Sequence, residues 1–346
     1  MRKFIPYLFV LSLLFFSSSL AQLTLSKNID VSVEVQQELF PVIAKFISEG
    51  NKYSNIPGIV KWKISNKSNE SVKVSLVAEI PEWTSPEITT IDLLSNENKE
   101  ITQTPFGNKL LLNHSIVPTT IVLKARVDDK NIYEETRNLK VRAADDMVWS
   151  LNTPFDTEFL IAAWVTPNDE MVEKILSNAK EKLFERTLSG YNNPNVMAEI
   201  KSIFNAVRNA KVSYVNSTLS FGKVGFAQRV RLPRESISQK SANCIDGAVL
   251  FASLFENIGL EPLIVLIPGH AFVGVRLASN SSQTLFIETT FVGRNIMNSI
   301  VTLTSTFDAA TQKGNEEYDQ AIQKNPGEVH IVDIKKARDK GIYPLW

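Results

Sequence analysis

The sequence predicts an α+β protein of two domains, an all-β one followed by a mixed one. Three observations carry this reading. Apolar and polar residues alternate with period two through much of residues 23 to 145. Past Pro154 the spacing changes to that of helices. The run from Cys244 to Ile258 is then apolar on every face and is followed directly by strand-like runs. At 346 residues the chain is too long for one ordinary core and fits two.

Taken in order, Arg2 and Lys3, the short apolar run Phe4 to Phe16 and the small residues Ser19-Leu20-Ala21 read as a signal peptide. It covers residues 1–21, with cleavage before Gln22. The apolar run is short for a membrane span, and no second candidate span follows. No cysteine stands near the cleavage point to carry a lipid. The expected location is exported, periplasmic or extracellular, with no stable membrane span after cleavage.

Residues 22–145 read as half-buried antiparallel strands. Val31, Val33 and Val35 interleave with Ser32 and Glu34, and Val72, Val74, Leu76, Ala78 and Ile80 repeat the pattern. Further strands are expected at 59–64, 119–127 and 138–142. Turn residues separate them at Asn66 to Glu70, Ser95 to Asn98 and Asp128 to Asn131. Short strands at this spacing predict an immunoglobulin-like β-sandwich. Residues 37–48 fit either a helix or a strand pair.

Alternation stops near Ala143, and residues 146–165 are expected to be a linker before a second domain over 166–346. There Thr166-Pro167-Asn168-Asp169 is a helix start signal, with a hydroxyl cap and a proline in the first turn. Apolar residues then recur at helical spacing from Met171 to Phe184, and a second helix is expected from Val196 to Ala210. Leu232 to Glu235 begins a short third one. Phe221-Gly222-Lys223-Val224-Gly225 has neither the four-residue spacer nor the following Ser or Thr of a phosphate loop.

The chemistry concentrates between Ser241 and Thr290. Exported proteins normally pair their cysteines, yet Cys244 is the only one in the chain. Asn243 is a good N-cap, which places Cys244 in the first turn of a buried helix, where free N–H groups and the dipole favour a thiolate. Gly259 and Pro262 end that helix. An antiparallel meander follows: 263–267, 270–277 and 284–290. Alternation puts His270, Phe272, Gly274 and Arg276 on one face, together with Phe286 and Glu288 of the next strand. Glu288 can then reach His270 from a neighbouring position on the sheet. Asp246, two residues past Cys244, faces away and is expected to cap the helix or pair with Arg229 or Arg231.

Asn243-Cys244-Ile245-Asp246, the apolar helix, Gly269-His270-Ala271-Phe272 and an acid on the next strand together resemble the transglutaminase-like cysteine superfamily, relatives of the papain-like proteases. The resemblance spans about a hundred residues, 196 to 293. It implies a transglutaminase-like α+β domain, with a Cys helix packed on an antiparallel sheet. It also implies Cys244 as nucleophile, His270 as general base and acid, and Glu288 as the carboxylate that orients it. Gln228 resembles the upstream glutamine that donates to the oxyanion in papain-like enzymes. The chain departs from the family in carrying Glu at 288, where Asp is usual, and Phe at 272, where Trp is frequent.

Lys+Arg and Asp+Glu both total 37, which removes the electrostatic case for nucleic-acid binding. No His/Cys pair has metal-ligand spacing, so no metal or other cofactor is expected. The expected activity is acyl transfer on peptide or isopeptide amides, by hydrolysis or transamidation, with a protein or peptide as substrate. The alternative is an inactive binding module of the same fold for a protein or glycan partner.

Overall fold

Alternating burial builds the first unit strand by strand. The computed structural model describes residues 28–50, 56–216, 220–293 and 306–345, so the expected signal peptide lies outside the described residues. Two compact units divide the chain between Ala144 and Asp145. The first contains β1 (Ile29–Val35), β2 (Glu38–Leu39), β3 (Val60–Asn66), β4 (Val72–Glu79), β5 (Glu87–Leu93), β6 (Asn98–Gln103), β7 (Val117–Val127) and β8 (Lys130–Val141). They form a three-stranded sheet, β1-β3-β6, and a five-stranded sheet, β2-β8-β7-β4-β5. Only β2 joins its neighbour in parallel among these pairings. Trp62 and Ile64 of the smaller sheet share one core with Leu76, Leu123 and Val141 of the larger. The buried Trp62 indole donates to Gln103 Oε1 at 2.8 Å, and Gln103 Nε2 donates to Leu76 O at 3.2 Å, so a satisfied polar link crosses the core. The ambiguous segment 37–48 contains both a strand and a helix: β2 is followed by α1 (Pro41–Ser48), opened by proline in its first turn.

The second unit includes the residues expected to be a linker. There β9 (Asp146–Val148) pairs with β11 (Ala227–Arg229), and a 3-10 turn, Glu158–Trp164, buries Leu160 through Trp164. The Trp164 indole donates to Val230 O at 3.1 Å. The segment loses its alternation because it is buried in pieces too short to show a period. Helix α2 (Glu170–Lys180) is capped by Asp169, which accepts from the Met171 amide, and not by Thr166. It ends before Leu183 and the exposed Phe184. Helix α3 (Val196–Asn209) packs against it. Next come β10 (Ser213–Tyr214), α4 (Pro233–Ser238) and β12 (Ser241–Ala242), the last parallel to β10.

Helix α5 (Cys244–Asn257) is buried from Cys244 through Phe255, as its apolar composition requires, and packs on a four-stranded sheet. The sheet runs β15 (Thr284–Ile287), β14 (His270–Arg276), β13 (Pro262–Ile267), β16 (His330–Asp333). Phe272 and Phe286 share a face with Val265, and Tyr318 of α6 (Phe307–Lys324) stacks on Phe286. A last helix, α7 (Ile334–Asp339), follows β16. The molecule is therefore α+β. Among the described residues, no helix is long and apolar enough to cross a membrane.

Candidate functional site

Asn243 and Asp246 fix the start of α5. Asn243 Oδ1 accepts from the Asp246 amide at 2.9 Å, and Asp246 Oδ2 accepts from the Asn243 amide at 3.0 Å. This reciprocal cap satisfies two first-turn donors. Asp246 also accepts from the backbone and guanidinium of Arg231, at 2.8 and 2.9 Å, so both roles considered for it are filled at once. Cys244 is thereby held as the first helical residue, 2% exposed.

His270 follows the Pro268-Gly269 turn and opens β14. Cys244 acts on its ring in the sense that favours the imidazolium, and its Nε2 lies 2.5 Å from Glu288 Oε2. Glu288 stands one residue past the end of β15, whose pairing with β14 stops at Ile287 opposite Val273. Its amide donates to Ala310 O at 3.0 Å, and its Oε1 accepts from the Thr290 amide at 2.8 Å. Leaving the ladder gives the longer glutamate room to turn back onto the ring. Gly247, one turn beyond Cys244, permits this arrangement: a Cβ there would fall 2.7 Å from Thr289 Oγ1.

Sequence reasoning missed one carboxylate. Glu317 of α6 places Oε2 3.4 Å from His270 Nε2, while Lys313 pairs with its Oε1 at 3.1 Å. Burial opposes charge on His270, but its interactions with Cys244, Glu288 and Glu317 outweigh this and push the imidazole up to about 12. Burial also opposes charge on Glu317, and the contacts with His270, Glu288 and Lys313 hold it down at about 2. His270, Glu288 and Glu317 each present a ligand-type atom within 4.8 Å of the others. Ligands about 2.0–2.2 Å from a common tetrahedral ion sit more than 3 Å apart. The 2.5 Å contact is a direct hydrogen bond and leaves no such gap.

Gln228 lies on β11, 7% exposed. Its Oε1 accepts from the Ser220 amide at 3.1 Å, while its buried Nε2 has no partner among the described residues. Three residues on, Arg231 is tied to the first turn of α5. The other histidine in a strand, His330, stands apart from the thiol cluster's contacts. Its Nδ1 is 2.9 Å from Glu158 Oε2, and its ring stacks on Phe155 at 3.8 Å.

No family model matches the chain, and no curated protein matches it. Among solved structures it is similar to a red sea bream transglutaminase, at 10% identity over 75% of this chain and 53% of that one, with a TM-score of 0.22. It is similar to a FixG-related protein from Vibrio parahaemolyticus at 13% identity over 34% of this chain and 96% of that one, TM-score 0.21. The exo-chitosanase CsxA of Amycolatopsis orientalis gives 13% over 52% and 21%, TM-score 0.22. Likenesses this loose say nothing about the chemistry, which rests on the residues themselves.

Proposed function

We propose that the chain is an exported thiol enzyme whose second unit has a transglutaminase-like fold and transfers acyl groups from peptide or isopeptide amides. The observation that carries this reading is the His270 imidazole, bonded to the buried Glu288 carboxylate and acted on by the lone thiol of Cys244. The Cys244 thiolate attacks the amide carbonyl, the C–N bond breaks, and the His270 imidazolium gives its proton to the leaving amine. Water or a second amine then attacks the thioester and passes a proton back to His270, which frees the acid or the new amide and restores the ion pair. Glu288 orients the ring throughout. The Gln228 amide and the Cys244 backbone N–H serve as the oxyanion donors. A buried Nε2 without an acceptor costs about 1–3 kcal/mol, which a substrate oxygen would recover. The first unit is read as an immunoglobulin-like sandwich that positions substrate or attaches the enzyme to a surface partner.

Burial of Cys244 favours a second reading, a binding module built on the same cluster. Iodoacetamide alkylation of the native full-length chain at pH 6 separates the two. A free thiol with a pKa of about 8.5 is only about 0.3% ionised there. An activated thiolate, allowing for its weaker intrinsic nucleophilicity, reacts about tenfold faster than the denatured control. His270→Ala is expected to remove that advantage. Native protein that reacts no faster than denatured protein would leave the binding module as the better reading.

A further inference from the structure

Helix α6 holds both carboxylates that face His270. On one of its faces, Ala310 accepts the Glu288 amide at 3.0 Å, Gly314 meets β15, and Glu317 reaches the imidazole. These positions are spaced i, i+4, i+7, one stripe of a helix. The approach at Gly314 is close: a Cβ there would lie 2.7 Å from the Phe286 carbonyl and the Ile287 amide. Asn315 Oδ1 accepts from the Phe286 amide at 3.3 Å, and Tyr318 stacks on Phe286 at 4.0 Å. The helix is thus locked to the strand that leads into Glu288. At 3.4 Å, Glu317 Oε2 is long for a formed hydrogen bond to Nε2, so it acts on the ring mainly through charge. That oxygen is buried and has no hydrogen-bonded donor among the described residues.

We infer that Glu317 is a second positioning carboxylate for His270, which holds the ring as an imidazolium, and that α6 is part of the site. The inference rests on the thiol–imidazole reading above. Among the described residues, the titratable and charged groups that face His270 are Cys244 from α5, Glu288 beyond β15, and Glu317 with its partner Lys313 from α6. Attack on the carbonyl consumes the thiolate, and with it the thiolate's contribution to the imidazolium, before the C–N bond breaks. A second carboxylate then keeps the proton on the ring until the leaving amine takes it. The strong upward displacement of His270 accords with two anionic neighbours.

The chain has three histidines, so imidazole NMR of the full-length protein can follow each ring, with His114→Gln and His330→Gln variants making the assignment. In the wild type, His270 is expected to remain protonated well above pH 7. Glu317→Gln keeps the shape and removes the charge. It is expected to lower the His270 midpoint by about 1–3 pH units without moving His330. Glu317→Asp keeps the charge one methylene further away and lowers the midpoint by less, which gives a second measurement should the glutamine variant fold poorly. Alkylation of Cys244 at pH 9 tracks the same order. An unchanged His270 midpoint in both variants, with wild-type Cys244 still activated, overturns the role of Glu317 alone. A wild-type His270 that titrates near its ordinary value, beside an unactivated thiol, overturns this inference and the enzymatic reading together.

Discussion

Glu288 does two jobs with two oxygens, and its length is what allows both. Oε1 accepts from the Thr290 amide while Oε2 meets the ring of His270. Glu288→Asp shortens the reach by one methylene and cannot keep both contacts from the same backbone position. It is expected to slow alkylation at pH 6 while leaving the fold intact. Glu288→Ala, which also strips a buried, charge-assisted bond, is expected to destabilise the second unit by about 2–4 kcal/mol, measured by urea unfolding. His330→Ala should leave alkylation unchanged, because that ring is engaged with Glu158 and Phe155. Cys244, His270 and Glu288 could be singled out from sequence because local rules point to each: a capped helix start, the first residue after a Pro-Gly turn, and the alternation of the next strand, which ends one residue short of Glu288. Glu317 could not. It lies in a helix rich in Gln, Asp and Glu, where one more glutamate carries no signal, and only the docking of that helix brings it to His270.

Docking of α6 is the element-scale event on which the site depends. Its described buried positions are Phe307, Ala310 and Gly314, so close approach replaces a broad apolar stripe. Its mean composition is polar, which is why no periodicity announced it. Gly314→Ala tests the point with opposing effects. Alanine is better than glycine within a helix by about 1 kcal/mol. The added methyl meets backbone atoms at 2.7 Å, and overpacking of this kind costs about 1–3 kcal/mol. The clash is against backbone that cannot rotate away, so the expected result is a net loss of stability. Cys244 alkylation at pH 6 should slow as well, because the shift of α6 carries Ala310 and Glu317 with it. The same limits explain the other elements that sequence patterns did not reveal. β9 and β11 are three residues each, shorter than any measurable period. β5 and β6 alternate between intermediate and exposed positions for most of their length, so neither has a clear apolar face. By contrast, β4 and α5 were legible because one buries alternate residues and the other buries nearly all of them.

Across the whole molecule the charges balance, 37 against 37, so near neutral pH general repulsion is weak and a few buried groups govern stability. Each has its own sign. Glu317 and Glu261, both opposed by burial, are held down at about 2 by their cationic and hydrogen-bonding partners. Their contribution is present above the ordinary value of 4.5 and fades as pH falls towards 2. His270, raised to about 12, stabilises fully below its ordinary 6.5, and this contribution declines as pH rises from there to about 12. Glu158 runs against the other carboxylates. Burial pushes it up to about 7, so the unfolded chain ionises this group first, and stability is lost as pH rises from 4.5 through 7. Burial lowers His330, its neighbour, which penalises the fold as pH falls below 6.5. Glu158→Gln removes only the carboxylate's contribution and keeps its size. The two units have separate cores, so calorimetry is expected to show separable transitions, and Cys244 accessibility identifies the one that belongs to the second unit. Followed from pH 4 to 9, the difference in midpoint between variant and wild type should be flat below about 4.5 and then climb in the variant's favour to about pH 7. It should level off above that. A difference that does not vary with pH would mean that Glu158 titrates alike in the folded and unfolded chain, and one that turns against the variant above about pH 4.5 would mean a true ion pair with His330.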